Sequence, residues 1–399
     1  MVHRTLSQTQ ELVSWCRDTR GVEWIALDTE FIAERYYQPL LCLIQVGTPE
    51  GSFLLDPLAP MDTTPFWELL TEGEHETILH SGRVELEFCY RHTRKFPKKL
   101  FDTQLAAGLV TTDYPAGYSN LVFRFLGENL QNTESRTDWK CRPLTERQVV
   151  YALEDILYLH SMRKILGEEL QRLKREKWMA AETQLWQETV LALVSPQRWQ
   201  RILGSYRYTP QELAIIRSLW QWREALAESR NCSPRRVLRD DLLLELARRR
   251  VSEMRHIRSI RGMERGDLKD LLPDIANCIQ KALELPESDC PHVRVSGNHT
   301  KLNVLGTLLS SVLGTIARNL QVAPSLVGSP SDVREWIAWK LRWKDCDEMP
   351  LLAQGWRAEM VGKIFEELLS GQKAIRIVQP QEECPLEFVT PGGLSSDRQ

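Results

Sequence analysis

Residues 24–30 read Trp24-Ile25-Ala26-Leu27-Asp28-Thr29-Glu30, an apolar run that ends in two acids one residue apart. A short apolar run of this kind is a buried strand. Residues i and i+2 of a strand point to one face, so Asp28 and Glu30 are expected to converge on one site. Two carboxylates aimed together need a counter-charge, and oxygen donors without cysteine or histidine favour a hard divalent ion such as Mg or Mn. A strand edge meeting solvent is the plainer account of the same pair.

Reading outward, residues 40–46 (LLCLIQV) and 51–55 (GSFLL) are further strands separated by the turn residues 48–51 (TPEG), so 24–55 reads as an antiparallel three-strand meander. Residues 64–71 are expected to be helical, 77–80 a fourth strand and 84–90 the start of another helix. Helices follow to about residue 200, one of them opening at Thr145 with Gln148 at the N3 position of a capping box. Beyond about residue 205 the strand signal disappears, and 210–229, 240–249 and 265–285 have helical spacing. A joint rich in Pro, Ser and acids at 286–291 leads to a second helical unit over about 300–376. The expected division is an α/β domain at 1–205, all-α domains at 206–290 and 298–378, and a flexible tail at 379–399, where Pro, Gly, Ser and acids show little periodicity.

The chain of 399 residues is 42% apolar and 26% charged, with a net charge of −3. Its apolar runs fall short of the roughly 20 residues a membrane span needs. The first 20 residues lack an apolar signal core, so a cytoplasmic protein is expected. Nine scattered cysteines without a CxxC pair argue against a disulfide framework or a structural zinc site. There is no GxxxxGK[ST], GxGxxG or nucleophile elbow, so ATPase, dehydrogenase and serine-hydrolase readings lack their residues and no nucleotide cofactor is expected. Charge is unevenly spread: residues 230–265 hold eleven arginines against five acids. Such a patch, including Arg248, Arg249 and Arg250, reads as a docking face for a polyanion or as a solvated helical surface.

Tyr151 and Asp155 stand four apart on an expected helix, which puts a phenol and a carboxylate on one face. Between the two acid sites lie HSGRVELE from His80, FDTQLAA from Phe101 and SRTDWKCRPLTERQ from Ser135. With DTEF at 28 and YALED at 151, this ordered set resembles the ribonuclease D family, DEDD exonucleases with a tyrosine in the third motif. The resemblance covers about residues 20–200. Farther on, Trp222-Arg223-Glu224 with Ala227, the 234–241 turn and Arg261-Gly262 resemble an HRDC domain, and Gly355-Trp356-Arg357 with Glu359 and Gly362 a second, more divergent one.

The resemblance implies a ribonuclease H-like α/β exonuclease domain followed by two all-α HRDC-like domains, and two-metal hydrolysis of RNA from the 3' end. It gives Asp28 the bridging position between two divalent ions, Glu30 and Asp155 the ion that carries the attacking water, and Tyr151 the orientation of that water. Structured RNA, tRNA precursors above all, is the implied partner. One position departs from the pattern, because Glu85 stands where the family has aspartate, which sets a metal-ligand carboxylate about 1.5 Å farther from its backbone. Mg tolerates such displacement poorly, so weaker or Mn-shifted binding is expected.

Other residues admit two readings. Arg136 and Arg142 are candidate phosphate clamps ahead of the catalytic helix. Trp139 reads as a core plug before a base-stacking residue, Asp102 as the cap of the next helix, and His80 as a buried hydrogen-bonding residue. Tyr36 and Tyr37 either meet the terminal nucleotide or pack. Two alternatives to the exoribonuclease remain: a catalytically weakened RNA-binding protein, and a DNA exonuclease using the same metal geometry.

Overall fold

The computed structural model describes residues 2–130, 134, 137–204, 206–293, 302–343 and 349–391. Contacts divide the chain into two units, one of Met1–Thr29, Ile44–Val190 and Asn298–Gln399, the other of Glu30–Leu43 and Leu191–Gly297. The last helical segment is thereby grouped with the α/β portion, although the HRDC-like stretch separates them in sequence.

A six-stranded mixed sheet carries the α/β portion. Its strands are β1 (His3–Leu6), β2 (Trp24–Ile32), β3 (Leu40–Thr48), β4 (Gly51–Leu55), β5 (Glu76–Leu79) and β6 (Lys99–Asp102), in the order β1-β4-β3-β2-β5-β6. β3 runs antiparallel to β4, with Gln45 opposite Leu54, and β2 runs parallel to β5, with Ala26 opposite Ile78. The helices are α1 (Thr9–Asp18), α2 (Thr64–Glu72), α3 (Arg83–Thr93), α4 (Thr103–Val110), α5 (Tyr118–Leu126), α6 (Glu146–Leu157), α7 (Leu159–Arg172) and α8 (Glu176–Val194). The expected meander is present, but β1 and β6 are additions to it. Both have four residues; only Leu6 of β1 is buried, and β6 buries an adjacent Phe101 and Asp102, so neither shows a two-residue alternation.

β2 lies inside the sheet with Ile25, Ala26 and Leu27 buried, which is why its first half is apolar throughout. The expected capping box at α6 forms: Thr145 Oγ1 accepts from Gln148 N, and the Gln148 side chain accepts from Thr145 N at 3.0 Å. These bonds satisfy two otherwise orphaned donors and set where the helix bearing Tyr151 and Asp155 begins.

The later helices of this unit are α14 (Asn303–Asn319), α15 (Pro324–Val327), α16 (Pro330–Lys340) and α17 (Gly355–Arg357), the last leading through a π turn at Ala358–Gly362 into α18 (Lys363–Leu369). Leu309, Leu313, Trp336 and Phe365 share one core with Leu105, Leu109 and Leu166 of α4 and α7. Arg175 fastens the two parts, donating to the carbonyls of Leu109 at 2.6 Å and Leu320 at 2.5 Å. Part of the stretch read as a flexible tail is ordered instead. β8 (Leu386–Val389) pairs antiparallel with β7 (Ala374–Ile377), and tertiary pairing supplies order that the sparse local pattern does not announce.

The second unit contains α9 (Pro210–Ser229), α10 (Pro234–Val237), α11 (Asp240–Arg249), α12 (Met254–Arg258) and α13 (Leu272–Leu283). The spans of α9 and α11 are those expected from the helical spacing. Leu213, Ile216, Leu243, Leu246, Ile257 and Ile279 form its core. Within it the buried Arg223 guanidinium donates to Leu238 O at 3.0 Å and Asp240 Oδ1 at 2.6 Å.

Candidate active site

Asp28 and Glu30 lie on the same face of β2, as the strand period requires, and Asp155 comes to them from α6. One carboxylate oxygen from each lies within 4.8 Å of the other two. Like charges this close repel strongly without a cation between them. An all-oxygen set with no sulfur or imidazole fits a hard divalent ion. Burial pushes the Asp155 carboxyl up to about 7, while a hydrogen bond from Tyr151 pulls in the opposite direction. The i, i+4 spacing expected to align Tyr151 with Asp155 thus produces a direct contact.

Glu85, on the first turn of α3, is not one of these three residues. It is buried, and its Oε1 accepts a 2.5 Å hydrogen bond from Thr29 Oγ1, the residue between the two β2 acids. Burial raises its carboxyl to about 7, the Thr29 bond opposes that, and the charge of Asp102 adds to it. Asp102 caps α4 by accepting from Gln104 N and Leu105 N, both at 2.9 Å, and its second oxygen accepts from Gly82 N at 2.9 Å. One carboxylate therefore ties the start of α3, which bears Glu85, to the start of α4. Gly82 has to be glycine in this arrangement, since a Cβ there would lie 2.7 Å from Leu79 Cβ. His80 bonds Thr103 Oγ1 at 2.9 Å and Ala116 O at 3.1 Å and is held well below its usual pKa, at about 4, by burial.

Sequence reasoning missed Tyr118. Its hydroxyl donates to Glu154 O at 3.3 Å and accepts from Tyr158 N at 3.1 Å, bracing the end of α6 next to Asp155. A lone tyrosine on a short helix carries no local signal of that role. Trp139 is a core residue, as read, and its ring lies 6.0 Å from that of Tyr151. Arg142 is engaged within the fold. It bonds both oxygens of Asp56, at 2.6 and 2.8 Å, and the carbonyls of Trp139 and Cys141. Arg136 lies outside the described residues.

In the second unit, the Tyr37 hydroxyl accepts from Arg198 at 2.7 Å, which gives that tyrosine a packing role. Arg248 stacks over the Tyr206 ring at 4.2 Å and donates to Tyr208. Arg249 pairs with Glu245 at 2.7 Å, and Arg250 with Thr209 at 2.7 Å and Glu212 at 3.2 Å. Arg230, Arg236, Arg255, Arg258 and Arg261 are exposed, and none forms an ion pair among the described residues.

Residues 3–171 match the 3'-5' exonuclease family and residues 212–279 the HRDC domain. Ribonuclease D of Zymomonas mobilis is 32% identical over 388 residues, covering 94% of this chain and 96% of the relative. Ribonuclease D of Jannaschia is 31% identical over 378 residues, covering 93% and 96%. The crystal structure of Escherichia coli RNase D superposes with a TM-score of 0.81 at 27% identity, covering 93% of this chain and 99% of that one. Likeness of this degree along nearly the whole length shows that the chain belongs to the ribonuclease D family of hydrolytic 3'-5' exoribonucleases.

Proposed function

We propose that this exoribonuclease trims the 3' ends of structured RNAs, tRNA precursors above all, in the cytoplasm, using two divalent ions, Mg or Mn. The observation that carries the metal reading is the convergence of Asp28, Glu30 and Asp155. Support for the substrate comes from the Escherichia coli relative, described as an exoribonuclease involved in structured RNA processing. No helix among the described residues is long and apolar enough to cross a membrane.

Asp28, Glu30, Asp155 and Glu85 are the residues proposed to hold the ions, and Glu30 and Asp155 would also serve the attacking water. When bound, the ions supply an activated water on one side of the phosphorus and charge stabilisation of the leaving oxygen on the other. Tyr151, already held against Asp155, orients the water. RNA contact is also proposed for Arg136, Arg142 and the face around Arg248, Arg249 and Arg250. Arg142 has to exchange one of its present partners to reach a phosphate, whereas the exposed Arg230, Arg236, Arg255, Arg258 and Arg261 form no ion pair among the described residues that they would have to give up.

The test is the purified chain with 5'-labelled tRNA precursor and a matched single-stranded DNA, in Mg, in Mn and in EDTA. We expect stepwise shortening of the RNA from its 3' end, release of 5'-mononucleotides and no reaction in EDTA. Internal cuts, metal-independent cleavage, or binding without cleavage would overturn the reading. Tyr151→Phe, which deletes only the hydroxyl, is expected to slow cleavage about 100-fold with RNA binding retained.

A further inference from the structure

β3 is the neighbour of β2 in the sheet, and only the residues 33–39 join them. A connection that short cannot return the chain for a parallel pairing, so β2 and β3 are antiparallel. A Cβ at Gly47 would lie 3.4 Å from Ala26 Cβ and 3.7 Å from Ile156 Cδ1. Gly47 of β3 therefore stands beside Ala26 of β2 on the face that α6 covers. Stepping two residues along each strand in opposite directions brings Gln45 beside Asp28, on that same face.

Gln45 is 0% exposed, and neither its Nε2 nor its Oε1 has a hydrogen-bond partner among the described residues. An amide in that state burdens the fold, and most buried side-chain amides are paired for that reason. The adjoining positions of β3 are filled in the ordinary way, with Ile44 and Val46 buried and apolar. Packing alone does not call for an amide at this position. A carboxylate set to hold a cation does, because ligand carboxylates are oriented by hydrogen bonds to the oxygens and hydrogens around them.

We propose that Gln45 is a positioning residue for the reaction, its carboxamide turning to the Asp28 carboxylate across the β2–β3 pair when a divalent ion is bound and fixing the orientation in which Asp28 holds that ion. The inference rests on the metal-nuclease reading of Asp28. It gives Gln45 no contact with RNA and no part in proton transfer. Its amide lowers the stability of the empty protein, and its function is realised only when the site is loaded.

The experiment compares Gln45→Met, close to isosteric and without the amide, with the parent and with Asp28→Asn, all as full chains. Four quantities are read: the melting temperature in EDTA, the affinity for Mn alone from the electron paramagnetic resonance signal of the free ion, and kcat and KM on an oligoribonucleotide. For Gln45→Met we expect a melting temperature equal to or above the parent's. We also expect Mn affinity and kcat each to fall about 10-fold or more, with KM little changed. Parent-like Mn affinity and kcat in Gln45→Met would overturn the proposal. A lowered melting temperature in EDTA, or failure of the variant to fold, would overturn it too, since the amide would then be serving the fold. Asp28→Asn separates the two readings: if it binds Mn like the parent, the metal reading itself fails, whereas loss in Asp28→Asn alone rejects only the role of Gln45.

Discussion

The Arg357 guanidinium grips the Glu182 carboxylate with two hydrogen bonds, at 2.6 and 2.9 Å, and both side chains are buried. Trp356 Nε1 donates to the same carboxylate at 2.8 Å, while Arg357 also donates to the carbonyls of Val327 and Leu326. Glu182 belongs to α8 and Arg357 to α17, so the late helical segment is locked to the early one through a fully paired charge. Removing one member leaves the other buried and unpaired. Glu182→Ala is therefore expected to destabilise this unit by about 3–5 kcal/mol, and urea unfolding followed by tryptophan fluorescence checks it. A change below about 1 kcal/mol would show that the pair is as dispensable as a surface bridge.

Asp28→Asn removes one charge from a cluster whose oxygens lie within 4.8 Å of one another. Repulsion in the metal-free protein falls, so the melting temperature in EDTA should match or exceed that of the parent. Hydrolysis should fall by about 10³-fold or more, equivalent to about 4 kcal/mol of barrier. Differential scanning calorimetry and a single-turnover cleavage assay read the two effects, and near-parent turnover would contradict the assignment.

Glu85→Asp draws the carboxylate back by about 1.5 Å and away from Thr29 Oγ1, its present donor. Leaving that buried hydroxyl unpaired is expected to cost about 1–3 kcal/mol in melting experiments. The longer side chain is expected to suit Mn better than the stricter Mg, so the ratio of Mg to Mn activity should rise in the aspartate variant. An unchanged ratio would remove Glu85 from the metal site and leave it the Thr29 hydrogen bond alone.

His80 supplies the pH test. Its pKa is about 4 in the native protein, against an ordinary value of 6.5, because burial disfavours the charged ring. Between those values the unfolded chain binds a proton that the native chain does not, so stability falls as pH drops from 6.5 toward 4. The expected loss is roughly 1–3 kcal/mol, and His80→Gln should lack it when melting temperatures at pH 7 and pH 5 are compared. Identical pH slopes in parent and variant would show that His80 does not contribute.

Arg248, Arg249 and Arg250 each have a partner inside their own unit, so exchanging all three for glutamine tests whether they also serve RNA. If they meet phosphates, binding of tRNA precursor should weaken, and its log-log salt dependence should flatten by roughly 0.7 to 0.9 for each phosphate no longer neutralised. Cleavage of a very short oligoribonucleotide should hardly change. Equal salt slopes for variant and parent would assign the three arginines to internal pairing only.

What the sequence by itself determined was local. The two-residue period of a strand put Asp28 and Glu30 on one face, the four-residue spacing put Tyr151 with Asp155, and Thr145 with Gln148 marked where their helix starts. Those relations act over neighbouring residues and so are readable without a fold. Tertiary packing decided the rest. It brought Asp155 to Asp28, engaged Glu85 with Thr29, and occupied Arg142 with Asp56. It also paired β1 with β4 and β8 with β7, strands whose burial gives no two-residue period, and closed Arg357 on Glu182 across 175 positions. Neither member of such a pair carries the other's location, because their meeting depends on how separate elements pack, and burial then sets how strongly each charge binds its partner.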